Sequence, residues 1–324
     1  MSESHSLLVL PHVRVQNANA ISSPMTWGFP AMTAFVGLMH LLERRLAERD
    51  IPLLFEGVGV VCHHCEPQAS HRGYTHAFHL TRNPVGRDGD TAAIVEEGRV
   101  HLDVSLVFAV RGDACAAPAE ERAAIAREVG ELLLTLRVAG GTVLPGSFRG
   151  RRWNGPELIP LDEQEDERRQ QSKRLLRRWL PGFALVCRDD LLHERHAEMR
   201  ADDPDTTLLD AWLDLSRLNM TCRGGEDDGE ETIRWEARRR PGWLVPIPVG
   251  YGALGPLQAG GDVRRARDTA TPLRFVESLY SIGQWVSPHR LDSPERLLWY
   301  VDNRLDEGRY RLRNDYIDNA AEFV

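Results

Sequence analysis

The densest group of side chains that could bind a metal ion is the run Cys62-His63-His64-Cys65, which further histidines follow at His71, His76 and His79. A C-x-x-C pair with later histidines is a zinc pattern. The histidine spacing fits no standard finger, and Cys62 continues the alternation of a valine-rich strand, as a packed thiol would. We therefore predict no metal site and no cofactor, with structural zinc as the alternative.

Two further histidines could supply acid–base chemistry. His12 follows Pro11 in a first strand, and His40 lies in a helical segment between Met39 and Leu41. Metal-independent cleavage of RNA needs a histidine acid or base, a second group and a means of stabilising the oxyanion. The sequence identifies neither of the last two. We predict that the chain is not an enzyme, with a metal-independent endoribonuclease as the alternative.

The run from Gln16 to Pro30 could bind single-stranded RNA. It supplies uncharged donors and acceptors and one stacking ring, which are the groups that read base edges and sugar hydroxyls. The alternative is a loop of Asx-turns ahead of a helix, with the ring in the core. The candidate RNA-binding residues of this run are Gln16, Asn17, Asn19, Ser22 and Trp27.

A glycine pair, Gly140-Gly141, follows the second predicted helix. One interpretation is a helix C-cap and turn, which is the commonest role of glycine at such a position. The other is a backbone that approaches a phosphate closely and turns its N–H groups toward it.

Charge and composition limit the class of protein. The chain has 324 residues and a net charge of −8, from 48 acidic and 40 basic residues, and this balance opposes nucleic-acid binding on its face. The basic groups are clustered, however, and local potential counts for more at a groove than the sum. The odd number of cysteines, five, indicates a reducing, cytoplasmic setting. The sequence has no apolar run near the roughly 20 residues that span a bilayer, so we expect neither a membrane segment nor a signal peptide.

The first half predicts an α+β fold. Strand patterns cover residues 7–16, 53–62, 74–81 and 99–111, the first broken by a proline as in an edge or bulged strand. Prolines at positions 30 and 118 open two helical patterns, and an extended run begins at residue 142. The order strand, helix, strand, strand, helix, strand is that of the ferredoxin-like or RNA-recognition-motif topology. We assign this domain to residues 1–146, with a thumb-like insertion at about 62–99.

The second half, residues 147–324, predicts an α+β extension packed on the first. It begins with a basic loop at 147–153, and helical patterns cover residues 166–180, 207–218 and 273–285. The first of these helices carries Arg169, Lys173 and Arg177 in one stripe. Residues 223–232 predict a solvated acidic loop, and residues 240–257, rich in proline and glycine, predict an irregular segment.

Several long stretches together resemble one family, over nearly the whole chain and in order. It is the second Csy subunit of type I-F CRISPR surveillance complexes, a Cas-five-type RAMP protein. Residues 65–74, 147–155 and 223–239 depart from the resemblance. The stretches that carry it are QNANAISSPMTWGFPAMTAF (Gln16 to Phe35), LTRNP (Leu80 to Pro84), TAAIVEEGRVHLDVSL (Thr91 to Leu106), RVAGGTVLP (Arg137 to Pro145), LPGFALV (Leu180 to Val186), PGWLVPIPVGY (Pro241 to Tyr251) and TPLRFVESLYSIGQWVSPHR (Thr271 to Arg290).

The resemblance implies a non-catalytic subunit that caps the 5′ handle of the CRISPR RNA (crRNA). Its implied partners are the large Csy subunit, the first repeated backbone subunit and, through the complex, target DNA. A glycine-rich loop of the RAMP fold falls at Gly140 and Gly141, which favours their phosphate-contacting interpretation. Further RNA-binding candidates are Arg82, Asn83, Arg87 and Arg99 of the thumb, and Arg149, Arg151 and Arg152 of the basic loop. The alternatives to handle binding are a RAMP-type ribonuclease and an adaptor that contacts only protein.

Overall fold

The computed structural model describes residues 6–73, 75–81, 85–86, 88–91, 95–146, 155–227, 230–238, 240–266 and 268–317, and shows a mixed α+β protein. The helices are α1 (Met32–Ala47), α2 (Asp113–Ala116), α3 (Ala119–Leu133), α4 (Glu165–Arg178), α5 (Asp189–Asp202), α6 (Leu208–Ser216) and the 3-10 turns η1 (Pro288–Arg290) and η2 (Pro294–Leu297). The strands are β1 (Ser6–Asn19), β2 (Ile21–Ser23), β3 (Thr26–Trp27), β4 (Leu54–Pro67), β5 (Ala69–Arg72), β6 (Thr75–Phe78), β7 (Leu80–Thr81), β8 (Val95–Glu96), β9 (Arg99–Arg111), β10 (Arg137–Val138), β11 (Gly141–Val143), β12 (Glu157–Pro160), β13 (Phe183–Cys187), β14 (Met220–Asp227), β15 (Glu230–Ala237), β16 (Trp243–Ala253), β17 (Val276–Val286), β18 (Trp299–Arg304) and β19 (Arg309–Asn314). None of the described helices is long and apolar enough to cross a membrane.

One antiparallel sheet organises the molecule. In the first half its strand order is β11, β1, β9, β4, so the first and third long strands are central and adjacent. The sheet continues from β4 through β13, β17, β16 and β19 to β18. Because β18 also pairs with β4 through Trp299 and Val58, the pairing path closes on itself in the second half. Strand β4 therefore belongs to both halves.

Strand β1 is bulged but is not an edge strand. It pairs with β9 along its length and with β12 and β11 on its other side. Its register shifts between Leu10 and Val13 and again between Val15 and Ala18. The first shift falls at Pro11 and His12, where the proline has no N–H to give the ladder. The prediction of a bulge is confirmed, and that of an edge position is wrong.

Three hydrophobic clusters hold the elements together. Helices α1 and α3 cover one face of the sheet, where Phe35 and Val129 pack with alternate residues of β1 and β9 such as Leu8 and Phe108. On the opposite face α4 packs through Leu175, Leu176 and Trp179. Helices α5 and α6 pack on β16 and β17 in a third cluster. The helices predicted after Pro30 and Pro118, and those at 166–180 and 207–218, are confirmed.

The helix predicted at residues 273–285 is wrong, because this segment is strand β17. Its apolar residues recur at helical spacing, but β17 lies between β13 and β16. Leu279 and Trp285 pack against the main cluster on one face, and Tyr280 and Ile282 pack in the third cluster on the other. A strand buried on both faces loses the alternation that identifies a strand. Gly283 meets this packing directly, since a Cβ there would lie 2.9 Å from Leu185 Cδ1.

Two other predictions for the second half are also wrong. The segment 240–257 contains the regular strand β16, in which Pro246 and Pro248 are accommodated because β19 pairs only with residues 250–252. Residues 223–227 and 230–232 lie in strands, since β14 and β15 pair antiparallel from Met220–Ala237 to Asp227–Glu230, so the predicted loop is wrong for these residues. The glycine and acidic residues of this segment are typical of a turn, but its pairing with the neighbouring strand makes it a strand, since strand formation depends more on context than on composition.

Candidate nucleic-acid interface

The end of β1 presents a row of exposed polar side chains, Gln16, Asn17 and Asn19. Asn17 lies in the second bulge with φ of 56°, and its backbone N–H donates to His101 Nδ1 at 3.2 Å. A left-handed residue in a strand reorients the side chains on either side of it. The bulge therefore leaves the Gln16 and Asn17 side chains facing solvent at the edge of the packed region.

The segment after β1 is partly the Asx-turn loop of the alternative interpretation. The Asn19 side-chain NH₂ donates to the Ile21 carbonyl at 2.8 Å, and its Oδ1 accepts from the Ile21 N–H at 3.1 Å. The Ser22 hydroxyl lies 2.7 Å from the Thr26 hydroxyl. Trp27 is not in the core, because its side chain is 49% exposed. It packs edge-on against Phe78 and tilted against His76, at 5.4 and 5.8 Å between ring centroids, and about half of its surface stays accessible.

The glycine pair forms a hairpin turn rather than a helix cap. Helix α3 already ends at Leu133, and Ala139 and Gly140, with φ of 48° and 77°, connect β10 to β11. Positive φ at both central residues is the mark of a type I′ turn. Gly140 is exposed, whereas Gly141 is buried against the second bulge of β1, where an added Cβ would lie 2.7 Å from Ala18 N.

A cavity of about 530 Å³, here named the ring cavity, opens between the loop after β3, the end of β4 and the strands β13, β16 and β17. Its wall on the second half carries Trp243, 57% exposed, and Phe183, 43% exposed, which meet edge-on at 5.6 Å. The opposite wall carries Trp27 and Phe29, and Phe29 packs edge-on against Trp285 at 4.9 Å. Its lining also includes the polar residues Ser22, His63 and His64.

A second, more open depression of about 730 Å³ adjoins the ring cavity, and we name it the turn cavity. It lies between the start of α1, the β10–β11 turn and the strands β16 and β19. Ser22, Pro30 and Ala31 line both cavities. The turn cavity also brings together Asn19, Arg137, Gly140, Tyr251 and Tyr310. Four of the predicted residues, Asn19, Ser22, Trp27 and Gly140, thus line one continuous surface.

The predicted phosphate-binding arginines are less well represented at this surface. Arg99 lies across the β1–β9 pair from Asn19 and forms an ion pair with Glu97. Arg137, which sequence reasoning missed, is exposed at the turn cavity, and its Nη1 lies 3.4 Å from the carbonyl oxygen of Gly140. The remaining candidates lie outside the described residues, and they are Arg82, Asn83, Arg87, Arg149, Arg151 and Arg152.

A histidine cluster occupies the sheet face opposite α1. His12 donates from Nδ1 to Asp103 at 3.0 Å, and its ring stacks on His63 at 4.2 Å. His63 donates from Nδ1 to the Pro181 carbonyl at 2.7 Å, so its Nε2 accepts from the Ser105 hydroxyl, also at 2.7 Å. The other candidate histidine, His40, lies on α1, on the other side of the sheet.

The environment of this cluster favours a structural role for its buried part. Burial lowers the pKa of His63, and the Pro181 carbonyl opposes that shift in part. A neutral imidazole held by two hydrogen bonds then connects β4, β9 and the segment ahead of β13. Ser105 is 1% exposed, so its hydroxyl is not accessible to a polymer substrate. His12 and Asp103 are about one quarter exposed and are the accessible pair.

The Cys62 and Cys65 thiols lie side by side because a register shift between Cys62 and His64 turns both to the ring cavity. Their mutual hydrogen bond raises the pKa of Cys62 and lowers that of Cys65. His71 and His76 face each other across the β5–β6 hairpin, with ring centroids 4.4 Å apart. Over the described part of the chain, no three or more metal-ligating side chains form a group that could hold an ion.

Sequence reasoning missed most of the rings at this surface. Phe29, Phe183, Trp243 and Trp285 line the ring cavity, and the turn cavity adds a tyrosine pair, Tyr251 and Tyr310. Phe183 and Trp243 each follow a Pro-Gly pair in the sequence, and a ring in such a stretch is the one feature that could have marked them as exposed. Their meeting depends on strand pairings between distant segments, which spacing along the chain does not reveal.

Two comparisons with known proteins agree with each other. The family described as CRISPR-associated protein (Cas_Csy2) matches residues 8–312 of the chain. A protein named CRISPR-associated protein Csy2, from Pseudomonas aeruginosa (strain UCBPP-PA14), is 48% identical over 320 residues, which is 96% of this chain and 96% of that protein. On both grounds, the chain belongs to the Csy2 family of CRISPR-associated proteins.

Proposed function

We propose that the chain is a non-catalytic RNA-binding subunit of a type I-F Csy surveillance complex and holds the 5′ handle of the crRNA. Membership of the Csy2 family supports a role in such a complex. The observation that carries the proposal is the ring cavity. Its exposed Trp243 and Phe183 share one cavity with Trp27 and the polar Ser22, and Asn19 at the end of β1 lines the adjoining turn cavity. The two cavities together combine stacking surfaces with uncharged donors and acceptors. Single-stranded RNA requires this combination.

The handle would lie across both cavities. Bases would stack in the ring cavity, while Ser22, Asn19 and the exposed N–H face of the Gly140 turn contact sugars and phosphates from the turn cavity. Arg99 and Arg137 would supply nearby positive charge, with the predicted thumb and basic-loop arginines completing it. Most of the affinity is then electrostatic and falls with salt, and the rings and amides add discrimination.

The fold we propose for the first half is the ferredoxin-like fold of RAMP proteins. The strand order β11, β1, β9, β4 with two helices on one face supports it, because this is the arrangement that a split βαβ–βαβ chain adopts. As such a subunit, the chain would join the large Csy subunit to the first backbone subunit in the cytoplasm. Target DNA would reach it through the complex, which reads sequence by guide pairing.

A RAMP-type ribonuclease is the second candidate function, and the His12–Asp103 pair beside His63 favours it. The test is cleavage of repeat RNA by the chain and by its His12→Ala variant. Cleavage by the parent chain that the variant loses would establish the ribonuclease and contradict our proposal. We expect no cleavage by either protein.

The test of handle binding uses the chain co-expressed with its Csy partners and a CRISPR array, loaded with guide RNA that carries photoreactive handle nucleotides. We expect crosslinks to peptides that contain Trp27, Trp243 or Gly140. Trp243→Ala should weaken handle binding by about 1–3 kcal/mol, which is the contribution of one stacked base.

The matched control is Trp235→Ala, since Trp235 is comparably exposed at 64% but lies on the β14–β15 hairpin and lines neither cavity. If the complex assembles but the handle nucleotides crosslink only to other subunits, the remaining interpretation is an adaptor that contacts only protein. Equal effects of the two substitutions would remove the ring cavity from the proposal.

A further inference from the structure

Four arginines and one lysine are among the twelve residues that line a third cavity, of about 530 Å³, which we name the basic cleft. It lies between α4 and the segment that contains η1, and it shares no lining residue with the ring cavity or the turn cavity. Its cations are Arg168, Arg169, Lys173, Arg177, His289 when protonated, and Arg290.

Helix geometry orders these charges. Arg169, Lys173 and Arg177 follow one another at four-residue intervals on α4, so they rise about 6 Å at each step along one face. Arg290 projects from η1 on the opposite wall. Leu175 and Leu176 of α4, with Trp179 directly after it, are buried in a hydrophobic cluster and fix the helix to the sheet, and Leu176 also lines the cleft. The stripe is thus carried on an anchored helix, with its charged ends in solvent.

The charges of the stripe are not neutralised by neighbouring acids. Arg168 is paired with Glu295 at 2.6 Å, but over the described residues Arg169, Lys173, Arg177 and Arg290 have no ion-pair partner. Two acids, Glu165 and Asp292, also line the cleft, so the cations outnumber them. Elsewhere on the described surface many arginines are paired, as Arg195 is with Asp214 at 2.7 Å.

The cleft therefore has a positive electrostatic potential, although the protein as a whole carries a net charge of −8. A polyanion that lies along the stripe releases one condensed counterion for about each phosphate it pairs, which gives affinity without any fixed geometry. The lysine of the stripe is the only lysine in the chain, and it contributes a point charge between two guanidinium forks.

The lining favours duplex over single-stranded nucleic acid. Apart from His289 it contains no aromatic ring, and its apolar residues are the buried Leu176 and Leu291. Proteins that hold single strands combine positive charge with rings for the unstacked bases, whereas a duplex needs only its phosphates contacted. We propose that the basic cleft binds the phosphate backbone of duplex DNA without reading its sequence.

The test measures binding of a mixed-sequence DNA duplex to the full-length chain by fluorescence anisotropy over a range of salt concentrations. The variant is the triple substitution Arg169→Gln, Lys173→Gln and Arg177→Gln. The matched control is Arg174→Gln, Arg200→Gln and Arg264→Gln, whose exposed arginines lie outside the cleft and also have no ion pair among the described residues. Both triples remove three positive charges, so a difference between them reports position rather than net charge.

We expect the cleft variant to raise the Kd for duplex DNA at least about tenfold near 0.1 M salt and to flatten the salt dependence by about three in log–log slope. The control should change the Kd less than about twofold. Circular dichroism of both triples should match the parent chain, because all six side chains are exposed.

Three outcomes would overturn the proposal. Equal losses in the two triples would mean that only net charge matters. A loss confined to single-stranded RNA would assign the cleft to RNA, and a loss confined to polyglutamate would assign it to an acidic protein. Handle crosslinks at the ring cavity are read separately, so failure here leaves the proposed function untouched.

Discussion

At the scale of single residues, the two adjacent glycines have different physical roles. Gly140 has a φ of 77° and open space around its Cα, so its conformation is what requires glycine. Gly141 has no such φ, but it is pressed against the bulge of β1. The pair was predicted to contact a phosphate. The geometry explains Gly141 as a packing residue, and the RNA contact of both glycines stays a prediction.

Gly141→Ala should therefore destabilise the protein by about 1–3 kcal/mol, the usual range for overpacking a close-packed site. An added Cβ would lie 2.6 Å from Val15 Cγ1 and 2.8 Å from Ala18 Cα. Urea unfolding measures the change. Gly37→Ala is the control, because Gly37 is in α1 with nothing within 4 Å, and we expect it to stabilise by up to about 1 kcal/mol. A neutral Gly141→Ala would contradict the packing role.

At the scale of elements, the helices with one solvent-exposed face and the long strands β1, β4 and β9 were predicted, whereas the strands β16 and β17 were not. Helices α1, α3 and α4 keep their polar sides in solvent, so their period survives in the sequence. Strand β17 is paired on both edges, from Leu279 onward its side chains pack on both faces, and its apolar residues recur at a helix-like spacing. Strand β16 was not predicted because it contains prolines, which are rare inside a sheet. They are accommodated where β19 does not pair with that strand.

Helix α6 offers an element-scale prediction. Its N-cap, Thr207, accepts from the Asp210 N–H, and the Asp210 carboxylate accepts from the Thr207 N–H, so the two form a capping box. Thr207→Ala should lower the local stability of α6 by about 1 kcal/mol, because the Asp210 N–H loses the side-chain oxygen that accepts from it. Hydrogen exchange of the α6 amides measures this. Thr206→Ala, one residue outside the box, should leave the exchange rates near those of the parent chain.

At the scale of the whole molecule, strand β4 joins the two halves. It pairs with β9 of the first half and with β13 and β18 of the second. Trp299 lies where β18 pairs with β4. Its side chain is fully buried, and its Nε1 donates to the Leu185 carbonyl at 2.8 Å. Strand β12, which begins at Glu157 after the predicted boundary at residue 146, pairs with β1 of the first half, and the boundary itself stays a prediction.

Trp299→Ala should cost about 3–5 kcal/mol and destabilise both halves together, since a large buried ring is lost at the shared strand. Trp299→Phe keeps most of the volume and should cost less, mainly the unpaired Leu185 carbonyl. The measurement is thermal unfolding followed by far-ultraviolet circular dichroism and by fluorescence. Coincident shifts are expected, and separate transitions for the two probes would show that the halves unfold independently.

The sequence by itself determined the α+β class, the amphipathic helices, the three long strands of the first half and the polar run at the end of β1 and after it. Each of these is encoded locally, by a period of 3.6 or 2 or by residue chemistry within one segment. Only the tertiary structure decided that Trp27, Phe183 and Trp243 share one cavity and that β4 closes the second half. Those features arise from pairings between distant segments, of which β4 with β13 and β4 with β18 lie more than a hundred residues apart, and local spacing carries no information about such pairings.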